Sequence, residues 1–171
     1  MLNLRFLFNI ILIAFLVFIQ VFLFDKLVFE QIAVPYVYIL FVLLYPTGKN
    51  RFLFLTLCFL LGWGVDIFEN TGGIHAFACI TVGGLRNGII RMVSGTKYFE
   101  IDEFRFGDFS VMQWLMYTIP MVFVHHFILF FIESLSFTNI DEVLLRTLYC
   151  SIFTLIFVYF YLILFRKRAE R

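Results

Sequence analysis

The chain has 171 residues, of which 63% are hydrophobic and only 15% are charged, and it contains 26 phenylalanines. A soluble domain has about 45–50% apolar and about 25% charged residues, so the composition predicts an integral membrane protein. The formal net charge is +1, which gives no electrostatic reason to expect a nucleic acid as a partner. We therefore expect a single membrane domain over residues 1–171.

Six apolar stretches are long enough, or nearly so, to cross a hydrocarbon core that needs roughly 20 residues. They cover residues 6–24, 32–46, 52–68, 72–90, 111–132 and 140–165. The first is too long for the apolar part of a signal peptide and is followed by Asp25-Lys26-Leu27 instead of a small-residue cleavage site, so we expect it to be retained. The sequence thus predicts an all-α membrane protein with six transmembrane helices in one bundle.

The lysines and arginines predict how these spans are oriented. With the N-terminus in the cytoplasm, eleven of the thirteen basic residues fall in cytoplasmic segments, and only Lys26 and Arg146 fall outside. Cytoplasmic loops of membrane proteins carry an excess of basic residues. We therefore expect a multi-pass protein with both termini in the cytoplasm.

The stretch Tyr98–Phe109, "YFEIDEFRFGDF", mixes acidic residues with phenylalanines and is too charged to span. We interpret it as an interfacial segment whose aromatic side chains enter the headgroup region. A docking surface for a cytoplasmic partner is the alternative interpretation.

Polar side chains inside the spans are expected to face the bundle interior and to pair, because a charge in hydrocarbon is costly. At about 1.5 Å of rise per residue, Asp66 lies about 21 Å from the inner edge of its span. Arg86 lies near the cytoplasmic edge, so a direct ion pair between them is not expected. The favoured partners of Asp66 are His75 and Arg146. The predicted outer polar layer contains Gln20, Asp66, His75, His125 and Arg146.

No motif in the chain predicts catalysis. His125 and His126 are adjacent, so on a helix they point about 100° apart and do not form the i, i+4 pair of a zinc protease. Neither an HExxH nor a GxSxG motif occurs. We predict that the protein is not an enzyme and has no metal or cofactor. One of the two histidines is expected in the core and the other at the lipid interface.

Glycines are concentrated in the third and fourth spans and the turn between them. Gly62 and Gly64 precede Asp66, and the glycines at residues 84 and 88 form a GxxxG pattern. Small residues let membrane helices approach closely. Short, glycine-interrupted spans are also typical of substrate sites in transporters. Both interpretations, helix packing and ligand binding, remain open from the residues alone.

The order of several stretches carries a family resemblance. A proline-led second span, "VPYVYILFVLLYP", is followed by the basic hairpin "TGKNR", then by "LLGWGVDIFENTGGIHAF" and a fourth span with "GGLRN". This order resembles the rod shape-determining protein MreD family. That family carries a Gly-x-x-x-Asp-type ending of one span and a glycine before the next, which match Gly62, Asp66, Gly72 and Gly73. The six-span plan agrees across most of the chain.

The resemblance implies a non-enzymatic scaffold of the cell-wall elongation complex in the bacterial inner membrane, which helps to maintain rod shape. Its implied partners are an MreC-like protein, the MreB filament, the glycan polymerase and transpeptidase of the complex, and membrane lipids. The family is related in fold to the substrate-binding S components of energy-coupling-factor transporters, so a vitamin-binding S component is the alternative. The candidate structural or interaction residues are Gly62, Gly64, Asp66, Gly72, Gly73, His75, Gly84, Arg86, Gly88 and Arg146.

Overall fold

The computed structural model describes residues 4–27, 33–47, 50–95, 109–135 and 140–165. The helices in these ranges are α1 (Leu4–Phe22), α2 (Ile39–Leu44), α3 (Arg51–Glu69), α4 (Ile74–Ser94), α5 (Val111–Ser134) and α6 (Ile140–Phe165). All of these helices except α2 are long and apolar enough to cross a membrane, which indicates an all-helical, multi-pass membrane protein. Apart from Phe109, the predicted interfacial segment lies outside the described residues.

Local sequence signals set the ends of the long helices. The Asn50 side chain accepts hydrogen bonds from two backbone N–H groups in the first turn of α3. Ser110 and Gln113 form a reciprocal capping box at the start of α5. Between α3 and α4, Gly72 and Gly73 have φ angles of 68° and 103°, a region that glycine enters without steric cost. The chain reverses direction at these two glycines.

The helices from α3 to α6 pack as consecutive antiparallel neighbours. Gln113 Nε2 donates to the Val93 carbonyl oxygen at 3.3 Å, so the start of α5 meets the end of α4. The helix α1 packs on α3 and runs parallel to it, because the rings of Phe22 and Phe68 lie 6.0 Å apart where both helices end. We call the end of the bundle where α3 ends and α4 begins the upper end, and the opposite end the lower end.

The second predicted span is not a membrane-length helix. The prediction of one helix over residues 32–46 is wrong, because only Ile39–Leu44 is α-helical and the described residues before it are not. Two prolines explain the short helix. Pro35 has no N–H and disfavours a helical residue before it. Tyr45, which precedes Pro46, has an extended ψ of 137° and ends α2.

The segment 33–47 nevertheless runs through the bundle from one end to the other. Pro35 contacts Gln20 at the upper end, and the ring of Tyr45 stacks on that of Phe54, 4.9 Å away, at the lower end. Most of its side chains are buried, and α2 packs on α4 and α5. Irregular backbone at membrane depth is tolerated where protein surrounds it. The long helices therefore pack around a broken central segment and present apolar side chains outward.

Candidate functional site

The carboxylate of Asp66, on α3, binds the first turn of α4. Its Oδ1 accepts a hydrogen bond from the backbone N–H of His75 at 3.0 Å, and its Oδ2 accepts one from the backbone N–H of Ala76 at 2.9 Å. The N-cap residue of α4 is Gly73, which has no side chain to do this. The first N–H groups of a helix lack intrahelical partners, and the helix dipole favours a negative charge there. Asp66 therefore caps α4 from a neighbouring helix.

Side chains complete the environment of the Asp66 carboxylate. The hydroxyl of Thr71 donates to Oδ1 at 2.5 Å, and the imidazole Nδ1 of His75 lies 3.0 Å from the same oxygen. The other ring nitrogen of His75, Nε2, lies 3.4 Å from a carboxylate oxygen of Glu69. The predicted contact between Asp66 and His75 is confirmed.

Arg146 is not a partner of Asp66, and this prediction is wrong. Its Nη1 donates to Glu133 Oε2 at 2.9 Å, and its guanidinium lies over the ring of Phe130, 4.4 Å from the centroid. The depth of Arg146 in the bundle was estimated correctly, since Glu133 is near the upper end of α5. However, α4 and α5 separate α6 from α3. Depth along a helix does not say which helices are neighbours.

Two of the predicted glycines bring helices into close contact. A Cβ on Gly62 would lie 2.5 Å from backbone atoms of His75 and Ala76, the residues whose N–H groups Asp66 binds. A Cβ on Gly64 would lie 2.9 Å from a methyl carbon of Val17 on α1. The backbone contact at Gly62 therefore holds α3 and α4 close enough for the Asp66 cap to form.

Gly84 and Gly88 behave differently from Gly62 and Gly64. Across the described ranges, no atom of a neighbouring element lies within 4 Å of a Cβ built on either residue. The exposed side chain of Arg51 reaches this side of α4, where it donates to the Gly84 carbonyl oxygen at 3.3 Å. The described helices therefore leave the GxxxG pattern of α4 open, and we call this surface the Gly84–Gly88 face.

Arg86 binds the end of α2. Its side chain is only 1% exposed, and its guanidinium donates to the Tyr45 carbonyl oxygen and, at 3.1 Å, to the Tyr117 hydroxyl. The Tyr117 hydroxyl in turn donates to the Leu43 carbonyl oxygen at 2.8 Å. The last carbonyl groups of a helix lack intrahelical partners, and the dipole favours a cation there. Arg86 therefore serves the C-terminus of α2, and its contacts differ from those of Asp66, as the depth estimate predicted.

The non-helical residues before α2 obtain their hydrogen bonds from the first and last helices. Gln20, on α1, accepts from the Val37 N–H at 2.9 Å and donates to the Pro35 carbonyl oxygen at 3.2 Å. Thr154, on α6, accepts from the Tyr36 N–H at 2.9 Å. Thr154 and Tyr117 were not among the predicted site residues. Two signals were available: a proline early in a span indicates unpaired backbone groups, and polar residues deep in other spans can satisfy them.

Both adjacent histidines of α5 are fully buried, so the expectation that one faces lipid is wrong. His125 Nε2 lies 3.1 Å from the Tyr38 hydroxyl, and His126 Nε2 lies 3.3 Å from the Thr154 hydroxyl. The side chains of His125 and His126 point about 100° apart. Both are nevertheless inside the protein, because α5 packs between α4 and α6 and also contacts α2.

The predicted outer polar layer forms in part. The ring of Tyr36 lies 6.0 Å from that of His75, 6.5 Å from that of His125 and 5.2 Å from that of His126. Gln20 joins this layer through the backbone on either side of Tyr36, whereas Arg146 remains apart with Glu133. Within the described ranges, no group of three or more His, Cys, Asp or Glu side chains is placed to hold a metal ion.

Comparison with known proteins gives no match: no family model, no curated protein and no solved structure matches this chain. Fold and site define a class, which is a multi-pass helical membrane protein with a broken, buried central segment. Its most buried charges, on Asp66 and Arg86, bind helix ends, and one glycine face of α4 is open. The function must be argued from these features.

Proposed function

We propose that this protein is a non-enzymatic inner-membrane scaffold of the bacterial cell-wall elongation complex, similar to MreD. One observation carries the proposal, namely the open Gly84–Gly88 face of α4. In a membrane, small residues four positions apart let a second helix approach closely, and van der Waals packing then drives association. The transmembrane helix of an MreC-like protein is the proposed occupant. Gly62 and Gly64 are already filled by α4 and α1, so they are not offered to a partner.

The proposed topology counts the segment 33–47 as a sixth crossing, as in an S-component-like fold. The lower end then faces the cytoplasm together with both termini, in agreement with the distribution of basic residues. This places the MreB filament on the side of the lower end. The glycan polymerase and transpeptidase would be neighbours within the same complex, reached through the MreC-like partner.

A vitamin-binding S component is the alternative function, and it has less support. A ligand in the upper half of the bundle would need internal space. In this chain the segment 33–47 takes that space, with Tyr36 and Tyr38 only 6% and 0% exposed.

A detergent pull-down of the full chain tests the scaffold proposal. The double variant Gly84→Leu/Gly88→Leu covers the open face, and because a Cβ at either position has no atom of a neighbouring described helix within 4 Å, we expect the variant to fold as the original protein does. Ile152→Phe, which enlarges an exposed side chain on α6, is the matched control. We expect an MreC-like protein to be recovered with the original chain and with the control, and to be lost with the double variant.

Two outcomes contradict the proposal. One is recovery of the MreC-like protein that is unaffected by the double variant while thermal unfolding confirms that the variant is folded. The other is recovery of a transporter T-type subunit, with no MreC-like protein, which supports the vitamin-binding alternative. Depletion of the protein in its host should in addition round the cells.

A further inference from the structure

A cavity of about 280 Å³ opens at the upper end of the bundle, between the end of α5 and the start of α6. Its lining combines apolar, hydroxyl and charged side chains of both helices. These are Phe130, Glu133, Ser134, Glu142, Val143 and Arg146. The cavity is distinct from the buried clusters around Asp66 and Arg86 and from the Gly84–Gly88 face.

The position of the cavity matches the headgroup level of a bilayer. Glu133 is the last residue but one of α5, and Arg146 lies six residues into α6, about 9 Å along the helix axis. Beside Arg146 and further along α6, the side chains of Leu145, Ile152 and Ile156 are about half exposed and form an apolar outer surface on one side of the helix. A ligand that fits this arrangement has a polar head and an apolar tail.

The charged side chains of the cavity fit a headgroup that carries both a cationic and an anionic group. Glu133 and Arg146 form an ion pair at 2.9 Å, and Glu142 has no ion-pair partner within the described ranges, so the lining carries one excess negative charge. The Arg146 side chain is 42% exposed, and its bond to Glu133 uses one of five N–H donors. A cationic group can therefore sit against the carboxylates while an anionic oxygen binds the guanidinium.

We propose that this cavity binds the headgroup of a phospholipid with a primary ammonium group, of the phosphatidylethanolamine type. The ammonium donates hydrogen bonds to the carboxylates of Glu142 and Glu133. The phosphate accepts hydrogen bonds from the guanidinium of Arg146. The acyl chains lie along the exposed apolar side chains of α6 that continue from Leu145.

The same geometry discriminates against the other common headgroups. A quaternary ammonium has no N–H to donate and is recognised by open aromatic faces, but the Phe130 ring is covered by Arg146. A glycerol headgroup brings a negative phosphate and no cation to a lining that already has an excess negative charge. The expected preference is therefore for the ethanolamine lipid over the choline and glycerol lipids.

Native mass spectrometry of the delipidated full chain in detergent tests this proposal. Ethanolamine, choline and glycerol phospholipids with identical acyl chains are added in turn. Because a hydrogen bond to a charged group is stronger than one between neutral groups, we expect the ethanolamine lipid to bind about tenfold more tightly or better. Glu142→Gln should abolish this preference, and Arg146→Gln should weaken binding of all three lipids. Arg51→Gln, an exposed arginine at the lower end, is the control and should change neither.

Three results overturn the proposal. The first is equal binding of the three lipids to the original chain. The second is an unchanged ethanolamine preference in Glu142→Gln, a variant at an exposed position that is expected to fold. The third is binding of soluble phosphoethanolamine as tight as that of the lipid, which removes the role of the apolar surface. None of these results depends on whether an MreC-like protein binds α4.

Discussion

Two buried charges of opposite sign, at opposite ends of the bundle, each hydrogen-bond backbone groups at the end of a helix. At the upper end, the Asp66 carboxylate accepts hydrogen bonds from the first turn of α4. At the lower end, the Arg86 guanidinium donates to the carbonyl of Tyr45, the residue that directly follows α2. An anion at a helix N-terminus and a cation at a C-terminus both follow the direction of the helix dipole. Each charge is therefore compensated by backbone and needs no counter-ion from the other.

The two ends differ in how enclosed the buried charge is and in which side chains surround it. Asp66 has His75 and Thr71 beside it, in a turn that is partly open. Arg86 is enclosed, and Tyr117 depends on it in the same network. We therefore expect the lower end to be less tolerant of losing its charge than the upper end. The effect of each variant is measured as a change in the free energy of unfolding of the purified protein in detergent.

The largest effect is expected for Gly62→Ala, which breaks the upper end. The new methyl would overlap backbone atoms of α4 at 2.5 Å, and backbone cannot move aside as a flexible side chain can. Overpacking of this kind costs about 3 kcal/mol or more here. The matched control is Gly84→Ala on the open face, where alanine is expected to stabilise the helix by about 1 kcal/mol. Equal stabilities of the two variants would contradict the close contact at Gly62.

Arg86→Met is expected to cost about 3 kcal/mol. The side chain keeps its apolar volume, but the buried carbonyl of Tyr45, at the C-terminus of α2, loses its donor, and such a group costs about 1–3 kcal/mol when unsatisfied. Arg86→Lys keeps the charge but has no fork to reach both Tyr45 and Tyr117, so its loss should be smaller. A methionine variant as stable as the original would show that the hydrogen bond from Arg86 to the Tyr45 carbonyl oxygen does not contribute to stability.

Asp66→Ala is expected to cost about 2 kcal/mol, less than Arg86→Met, because the α3–α4 turn is partly open to water. Asp66→Asn should lower the free energy of unfolding by about half as much, since its amide oxygen still accepts a hydrogen bond from one N–H of α4. Equal losses for alanine and asparagine would mean that the capping bonds contribute little. A larger loss than for Arg86→Met would reverse the proposed order of the two ends.

The smallest effect is expected for Tyr117→Phe, which removes one hydroxyl between Arg86 and the Leu43 carbonyl. The variant loses two hydrogen bonds, but Arg86 keeps its bond to the Tyr45 carbonyl oxygen, so the expected net cost is about 1 kcal/mol. In a double variant with Arg86→Met, the two losses should not add, because both residues belong to one network. Full additivity would show that Tyr117 and Arg86 act independently.

The sequence predicted features that depend on local spacing. The five long helices follow from apolar length, and the Asp66–His75 contact follows from a separation of nine positions that includes a tight glycine turn. The Arg146 partner could not be predicted in this way. Its depth was right, but the order in which helices pack around an axis is set by contacts between residues that are far apart in the chain.

The central segment, residues 33–47, was harder to predict because apolar content does not distinguish a membrane helix from a buried segment of irregular backbone. Pro35 and Pro46 are visible in the sequence, but their consequence depends on whether other spans supply hydrogen bonds. Those bonds come from Gln20 and Thr154, which are separated from the segment by 15 or more positions, and by 118 in the bond to Thr154. Only the folded bundle brings them together.

The bond between Tyr36 and Thr154 also constrains how the protein is made. A backbone N–H left unpaired in hydrocarbon costs several kcal/mol, and the partner of this one lies on α6, 118 positions further along the chain. The segment 33–38 therefore has no stable place in the bilayer while the nascent chain ends before α6. Pairing of this N–H therefore has to await the synthesis of α6, and a chain truncated ahead of α6 is expected to leave the Tyr36 N–H without this partner.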